Sequence, residues 1–272
     1  MPVMTRNLEI AVLAPDQRLT KKSIDLNGKP APAAHLISCL MVSRGEIYPA
    51  AFAIECFQQQ TYPNKELVIV SANADGQLQR YVEGLADSRI RFTRAPDWTL
   101  GTLRNLTIGL AHGALVTTWD DDDLRHPRSL EVQYTALMAT DAAMLCLLRL
   151  SLWEPARQRL ALTQTRPWEN SLLAWRYNMP EYPSLGKRED SHLMQRIAEK
   201  HSVALIDQPE LYVYIVHGKN TWEASHFDQF FNKASHRFEG ADYERMRKQL
   251  GAQLPMMRYA EKLLSGTALK AE

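Results

Sequence analysis

The stretch Ala114-Leu115-Val116-Thr117-Thr118-Trp119-Asp120-Asp121-Asp122-Asp123 decides how this chain is read: a short apolar run with strand character leads directly into four consecutive acids. Adjacent carboxylates repel one another, so a folded chain tolerates four of them best where a divalent cation or a cationic partner offsets the charge. Oxygen-only ligation favours Mg²⁺ or Mn²⁺. The competing reading is a solvated acidic turn. Placement favours a site, because an apolar strand stands in front of the acids and His126-Pro127 opens a helix behind them, running to about Thr140. Proline suits a first helical turn.

Working outward, hydrophobic period switches between that of strands and that of helices. Leu36 to Val42 is an apolar strand, and Pro49 to Gln59 places Ala50, Ala53, Ile54 and Phe57 on one helical face. Leu67 to Val70 is a strand, Gln77 to Leu85 a helix, Ile90 to Thr93 a short strand and Leu103 to Ala111 a helix. This alternation predicts an α/β fold with a mainly parallel twisted sheet flanked by helices on both faces, whose ligands bind beyond the carboxyl ends of the strands. The acids lie at that edge. Ala143 to Leu150 and Arg159 to Thr163 read as further strands, so residues 143 to 216 complete the sheet and form an acceptor-facing half. Residues 1 to 34, with Pro2, Pro15, Pro30, Pro32 and the turn signal Asn27-Gly28, read as a loosely attached arm with one short strand. The main domain is expected over 35–240. A helical tail follows over 241–272, with Pro255 starting a last helix that serves docking, dimerisation or packing on its own domain.

With 272 residues, 45% of them hydrophobic, the chain can bury a sizeable core. A net charge of +1 gives no global field to attract nucleic acid or anionic membrane. Cys39, Cys56 and Cys146 are scattered, as expected of reduced core thiols. The first residues lack a secretory pattern, and no apolar run reaches about 18 residues, so a soluble, cytoplasmic protein is expected. Peripheral association at the inner face of a membrane stays open.

Several separate segments resemble family 2 glycosyltransferases of the GT-A fold, over about Leu36 to Trp222. Ile37 to Arg44 is similar to that family's opening strand. Ala53 to Val70, with Gln58-Gln59-Gln60-Thr61-Tyr62-Pro63 at its centre, is similar to its next helix, turn and strand. Leu100-Gly101-Thr102-Leu103-Arg104-Asn105 resembles its glycine and Arg-Asn pair, and Trp119 to Asp123 its DxD metal region. Arg188-Glu189-Asp190 resembles its Glu-Asp pair, and His217-Gly218-Lys219-Asn220-Thr221-Trp222 a late motif of some bacterial members.

The resemblance implies an inverting, Mn²⁺- or Mg²⁺-dependent transfer of a sugar from a nucleotide-diphosphate donor to a glycan or lipid-linked acceptor, in polysaccharide or related glycan assembly. UDP is the default nucleotide. A divalent ion bridging the two phosphates stabilises the leaving group. By the same resemblance Asp122 is the main metal ligand, with Asp120 or Asp121 on the ribose or the metal. His217 is a metal or diphosphate contact, and Asp190 is the base that takes the acceptor proton. Ser43, Arg44 and Arg104 fall on the donor side, and Glu189, Asn220 and Trp222 on the acceptor or lid side. Plain alternatives stand beside these roles: a capping or solvated Asp123, a structural salt bridge for Arg104, a helix start for Glu189-Asp190 and a structural His217. Trp168, Trp175, Tyr177 and Tyr182 would supply aromatic platforms for a sugar or pack in the core.

One departure affects donor recognition. Where family members commonly carry an aspartate pair after the second strand, this chain reads Ser71-Ala72-Asn73-Ala74-Asp75-Gly76, which leaves base recognition to Asn73, Asp75 or a backbone group. Two other classes of function stay open: a Mg²⁺-dependent nucleotidyl- or phosphotransferase, although no Gly-x-x-x-x-Gly-Lys-Ser/Thr loop occurs, and a non-catalytic or degenerate nucleotide- or sugar-binding protein.

Overall fold

The computed structural model describes residues 7–26, 33–44, 47–72 and 75–265. In chain order the first half comprises β1 (Asn7–Leu13), β2 (Leu19–Asp25), β3 (Ile37–Ser43), α1 (Ile47–Gln58), β4 (Lys65–Ser71), α2 (Gln77–Leu85), β5 (Ile90–Arg94), α3 (Leu100–Leu110), β6 (Leu115–Thr118), β7 (Leu124–Arg125) and α4 (Ser129–Met138). The second half comprises β8 (Met144–Leu147), β9 (Ser151–Glu154), β10 (Arg159–Leu162), β11 (Trp168–Trp175), α5 (Glu189–Ala198), β12 (Val203–Ile206), β13 (Tyr212–Ile215), α6 (Ala224–Asn232), β14 (His236–Phe238), α7 (Gly240–Gly251) and α8 (Met256–Ser265).

Nine strands form one sheet in the order β2-β1-β12-β8-β11-β6-β3-β4-β5, and five form a second in the order β14-β10-β9-β13-β7. The stretch β6-β3-β4-β5 is parallel throughout. Helices cover both of its faces, so its strands carry near-continuous apolar runs instead of alternation. Every residue of β4 is buried, including Lys65 and Glu66. These two charges are satisfied locally: Lys65 donates to the carbonyls of Gln60 and Tyr62 at 2.6 and 3.0 Å, and Glu66 accepts from Ser38 Oγ at 2.6 Å and from the His112 amide at 2.7 Å. Beyond β6 the sheet becomes mixed, because β11 enters antiparallel between β6 and β8.

The loose arm expected at the N-terminus is, over β1 and β2, a hairpin that extends the main sheet. β1 pairs antiparallel with β12, from Ile10 opposite Ile206 to Leu13 opposite Val203. Its physical basis is the alternation of buried Leu8 and Ile10 with exposed Asn7 and Glu9, a period-2 signal that the surrounding prolines obscure. The tail packs on its own domain: Tyr259 of α8 is fully buried against the rings of Tyr48 and Phe52 on α1. Among the described residues no helix is long and apolar enough to cross a membrane.

Candidate active site

At the carboxyl end of β6 the chain turns through the acids into β7. Trp119 anchors the turn: it is buried, and its indole N–H donates to the Ala53 carbonyl at 2.9 Å. The four acids then divide. Asp123 is buried, faces the Tyr212 hydroxyl at 2.6 Å and accepts from the Ile215 amide at 2.8 Å. Asp123 therefore neither caps a helix nor faces solvent; it ties the acidic turn to β13. Burial, then the charges of Asp122 and Asp120, push its carboxyl well above the usual range. Asp120 faces Tyr212 Oη at 3.0 Å and accepts from Arg104 Nη2 at 3.2 Å. Asp121 and Asp122 carry the remaining carboxylates of the turn into the cleft. Burial and then Asp122 raise Asp121 to about 7, opposed by a hydrogen bond from Ser43.

Asp122 meets a second loop. Its Oδ2 lies 2.9 Å from His217 Nε2 and 3.4 Å from Asn220 Nδ2, while the Tyr259 hydroxyl donates to its main-chain carbonyl at 3.1 Å. His217 follows β13, and Gly218 turns the chain with φ +81°, a left-handed conformation that glycine adopts freely. Asn220 closes the turn, accepting from the His217 amide at 3.0 Å and donating to the Ile215 carbonyl at 2.8 Å. The late motif thus positions the imidazole and contacts the acidic turn directly.

Arg104 links the acids to the start of α5. Its Nε donates to Glu189 Oε1 at 3.0 Å while Nη2 reaches Asp120, and its guanidinium lies 5.8 Å from the Tyr182 ring centre. The salt-bridge reading of Arg104 thus fits, and the bridge ties the acidic turn to the start of α5. Glu189 is buried in this pair, and Asp190 lines the cleft beside it. Burial raises Asp190 above the usual carboxylate range, Arg104 opposes the shift and Glu169 adds to it. Gly101 explains how this wall closes. A Cβ there would fall 1.8 Å from the Pro183 carbonyl oxygen, and the Gly101 amide donates to the Leu185 carbonyl at 2.9 Å. Only glycine lets α3 approach the loop that carries residues 186–190.

The cleft encloses about 1410 Å³, with the four acids, Arg104, Glu189, Asp190, His217, Asn220 and Trp222 among its lining. Arg44 lines its mouth, and Ser43 lies buried behind Asp121. Asp75 is not in this wall; its carboxylate accepts from the Gln77 amide at 2.9 Å. Asn73 lies outside the described residues. Of the four aromatics expected near the acceptor, Trp168 lines the cleft and Tyr182 sits buried beneath Arg104. Trp175 instead packs on His35, and Tyr177 is 78% exposed. The sequence reading missed Tyr212, Lys187, His226 and Phe230. Tyr212 has the strand pattern of a core residue, and nothing local announces that its hydroxyl reaches across to two aspartates.

Among the described residues no three His, Cys, Asp or Glu side chains converge as a complete metal cage. Asp122 paired with His217 still fits Mg²⁺ or Mn²⁺, which are held by one or two protein groups and complete their shells with substrate phosphates and water.

The sequence profile of "Glycosyl transferase family 2" matches residues 38–182, from β3 through the acidic turn to the loop before α5. The chain belongs to this family. It is 38% identical over 101 residues to the putative colanic acid biosynthesis glycosyl transferase WcaA of Escherichia coli K12, a match covering 36% of each chain. Among solved structures this family 2 chain is similar to S. aureus TarS 1-349 in complex with UDP, with TM-score 0.53, 14% identity and coverage of 72% of this chain and 69% of TarS. It is also similar to the mannosyltransferase PcManGT of Pyrobaculum calidifontis in complex with GDP-Man and Mn²⁺, with TM-score 0.55, 15% identity and coverage of 90% and 79%. At these identities the structures establish the GT-A fold.

Proposed function

We propose that this chain is an inverting, metal-dependent glycosyltransferase that moves a sugar from a nucleotide-diphosphate donor to a hydroxyl of a glycan or lipid-linked acceptor. The observation that carries the proposal is one cleft shared by the Asp122–His217 pair and by Asp190, a carboxyl raised by burial beside the Arg104–Glu189 bridge. Asp122 and His217 would hold Mn²⁺ or Mg²⁺, which would supply Lewis-acid stabilisation of a diphosphate leaving group.

The chain's own residues do the rest. Asp121, supported by Ser43, faces the donor end, where UDP is the first nucleotide to test and GDP the second. Asp190 accepts the proton of the attacking hydroxyl; its raised pKa makes it a stronger base than an exposed aspartate once it is ionised. Arg104 holds Glu189 in a bridge and opposes the rise in its pKa that burial causes. Asn220 fixes His217, and Trp222 walls the acceptor side.

Donor turnover with and without Asp190 tests the proposal. Asp190→Asn should keep metal-dependent binding of the nucleoside diphosphate and lose transfer by about 10²- to 10⁴-fold, the range of general-base contributions. Near-normal turnover in this variant would remove Asp190 from the mechanism.

A further inference from the structure

The cleft lining also holds positive charge that the proposed reaction does not use. Arg166 is neutralised there, since it pairs with Glu169 at 2.7 Å and stacks on Trp168 at 3.9 Å. Lys187 and Arg188 have no such partner: among the described residues no carboxylate lies within ion-pair distance of either, and both line the cleft. Lys187 Nζ sits 4.7 Å above the Trp222 ring, and Trp222 stacks on His226 at 4.4 Å and 20°. Burial, followed by Arg166, Lys187 and Arg188, lowers the His226 pKa, so three cations crowd one imidazole.

A surface lysine and arginine are ordinarily just solvated. Two features set these apart. Arg188 holds φ +64° at the entry to α5, a conformation glycine adopts without strain and arginine does not. Such strain persists where the surrounding structure enforces it, and it clusters at functional sites. The two cations also directly precede Glu189-Asp190, and the Trp222 ring beside Lys187 stands on the same loop as His217, so they border the proposed base and the Asp122–His217 pair. An aromatic face flanked by cations suits a sugar ring that carries a negative group.

We propose that Lys187, Arg188 and the stacked Trp222–His226 pair form a subsite for an acceptor glycan bearing an anionic group, carboxylate or phosphate, near the hydroxyl presented to Asp190. Trp222 covers the apolar face of the ring, and the two cations receive the charge. This inference rests on the transferase reading.

The test uses the full chain with its donor site saturated by UDP and Mn²⁺, or by the diphosphate that binds best. Glucose, glucuronic acid and glucose 1-phosphate are then compared by saturation-transfer-difference NMR. At least one anionic sugar should bind about tenfold more tightly than glucose, with an advantage that falls as salt is raised. Glucuronic acid and glucose 1-phosphate distinguish carboxylate from phosphate as the favoured group. Lys187→Ala and Arg188→Gly should each bring the anionic sugar down toward glucose. Arg188→Gly also relaxes the backbone, so its loss of binding is separable from misfolding by a thermal midpoint that holds or rises. Equal binding of all three sugars, or an anionic preference retained in both variants, would overturn the subsite. A parallel loss of diphosphate affinity in both variants would assign the cations to the donor and also overturn it, leaving the transferase reading intact. No binding of any nucleoside diphosphate by the unaltered chain would overturn both.

Discussion

The parallel region β6-β3-β4-β5 and the wall built from β13, the 217–222 loop and the start of α5 perform complementary tasks by opposite means. The first is a local design: consecutive strands and helices bury β3, β4 and β6 almost completely and place the acidic turn at the carboxyl end of β6. The second is assembled from distant segments by polar contacts, such as Tyr212 to Asp123 and His217 to Asp122 across 89 and 95 residues. The first region therefore fixes where the site lies, and the second fixes what each acid does. Tyr212 holds Asp120 and Asp123, His217 and Asn220 meet Asp122, and Asp121 stands in the cleft beside them.

That division can be broken from the chemical side first. As the proposed base Asp190 would act only when ionised, and burial has raised its pKa above the usual carboxylate range. The transfer rate should fall as pH drops through that raised value, with an acid limb above the ordinary aspartate value of about 3.9. Asp190→Asn should lose about 10²- to 10⁴-fold and abolish the limb. A pH profile of turnover in both proteins checks this, and an unchanged limb in the variant assigns it to another group.

Gly101 is where the two regions meet most tightly. Gly101→Ala drives a methyl into the Pro183 carbonyl and should cost about 1–3 kcal/mol, as over-packing usually does. Denaturant unfolding measures that cost, and a change below about 0.5 kcal/mol would show that the loop gives way freely. A smaller effect is expected at Tyr259, whose hydroxyl supports the Asp122 carbonyl from the tail. Tyr259→Phe should lower stability by about 0.5–1.5 kcal/mol, the net value of one hydrogen bond, and weaken Mn²⁺-dependent donor binding while leaving metal-independent nucleotide binding alone. Asp75 lies outside the cleft wall. Asp75→Asn should change donor affinity less than about twofold, within the usual ±0.5 kcal/mol of a surface substitution, and a larger loss in a nucleotide titration would put this residue on the base after all.

The legibility of the sequence follows the same contrast. Helix and strand periods revealed α1 to α4 and β3 to β6 because their burial is one- or two-faced and local. The role of Asp123 was hidden because an acid next to three others carries no mark of the tyrosine that will bury it. Lys187 and His226 were hidden for a related reason: they meet at Trp222, one from the loop before α5 and the other from α6. The hairpin β1–β2 was masked by prolines flanking a short alternation of Leu8 and Ile10. Motif resemblance supplied Asp122, Asp190 and His217, and geometry added which groups hold them.

Thermal unfolding of the unaltered chain and of Asp122→Ala, with UDP, GDP, dTDP, CDP and ADP each with and without Mn²⁺, tests the central claim most directly. A ligand at about 100 times its Kd stabilises the folded state by about 2.7 kcal/mol. One diphosphate should give a shift that is clearly larger with Mn²⁺ than without it, and that Mn²⁺-dependent increment should be confined to the unaltered chain. A shift of equal size without metal, or an increment preserved in Asp122→Ala, would contradict the claim.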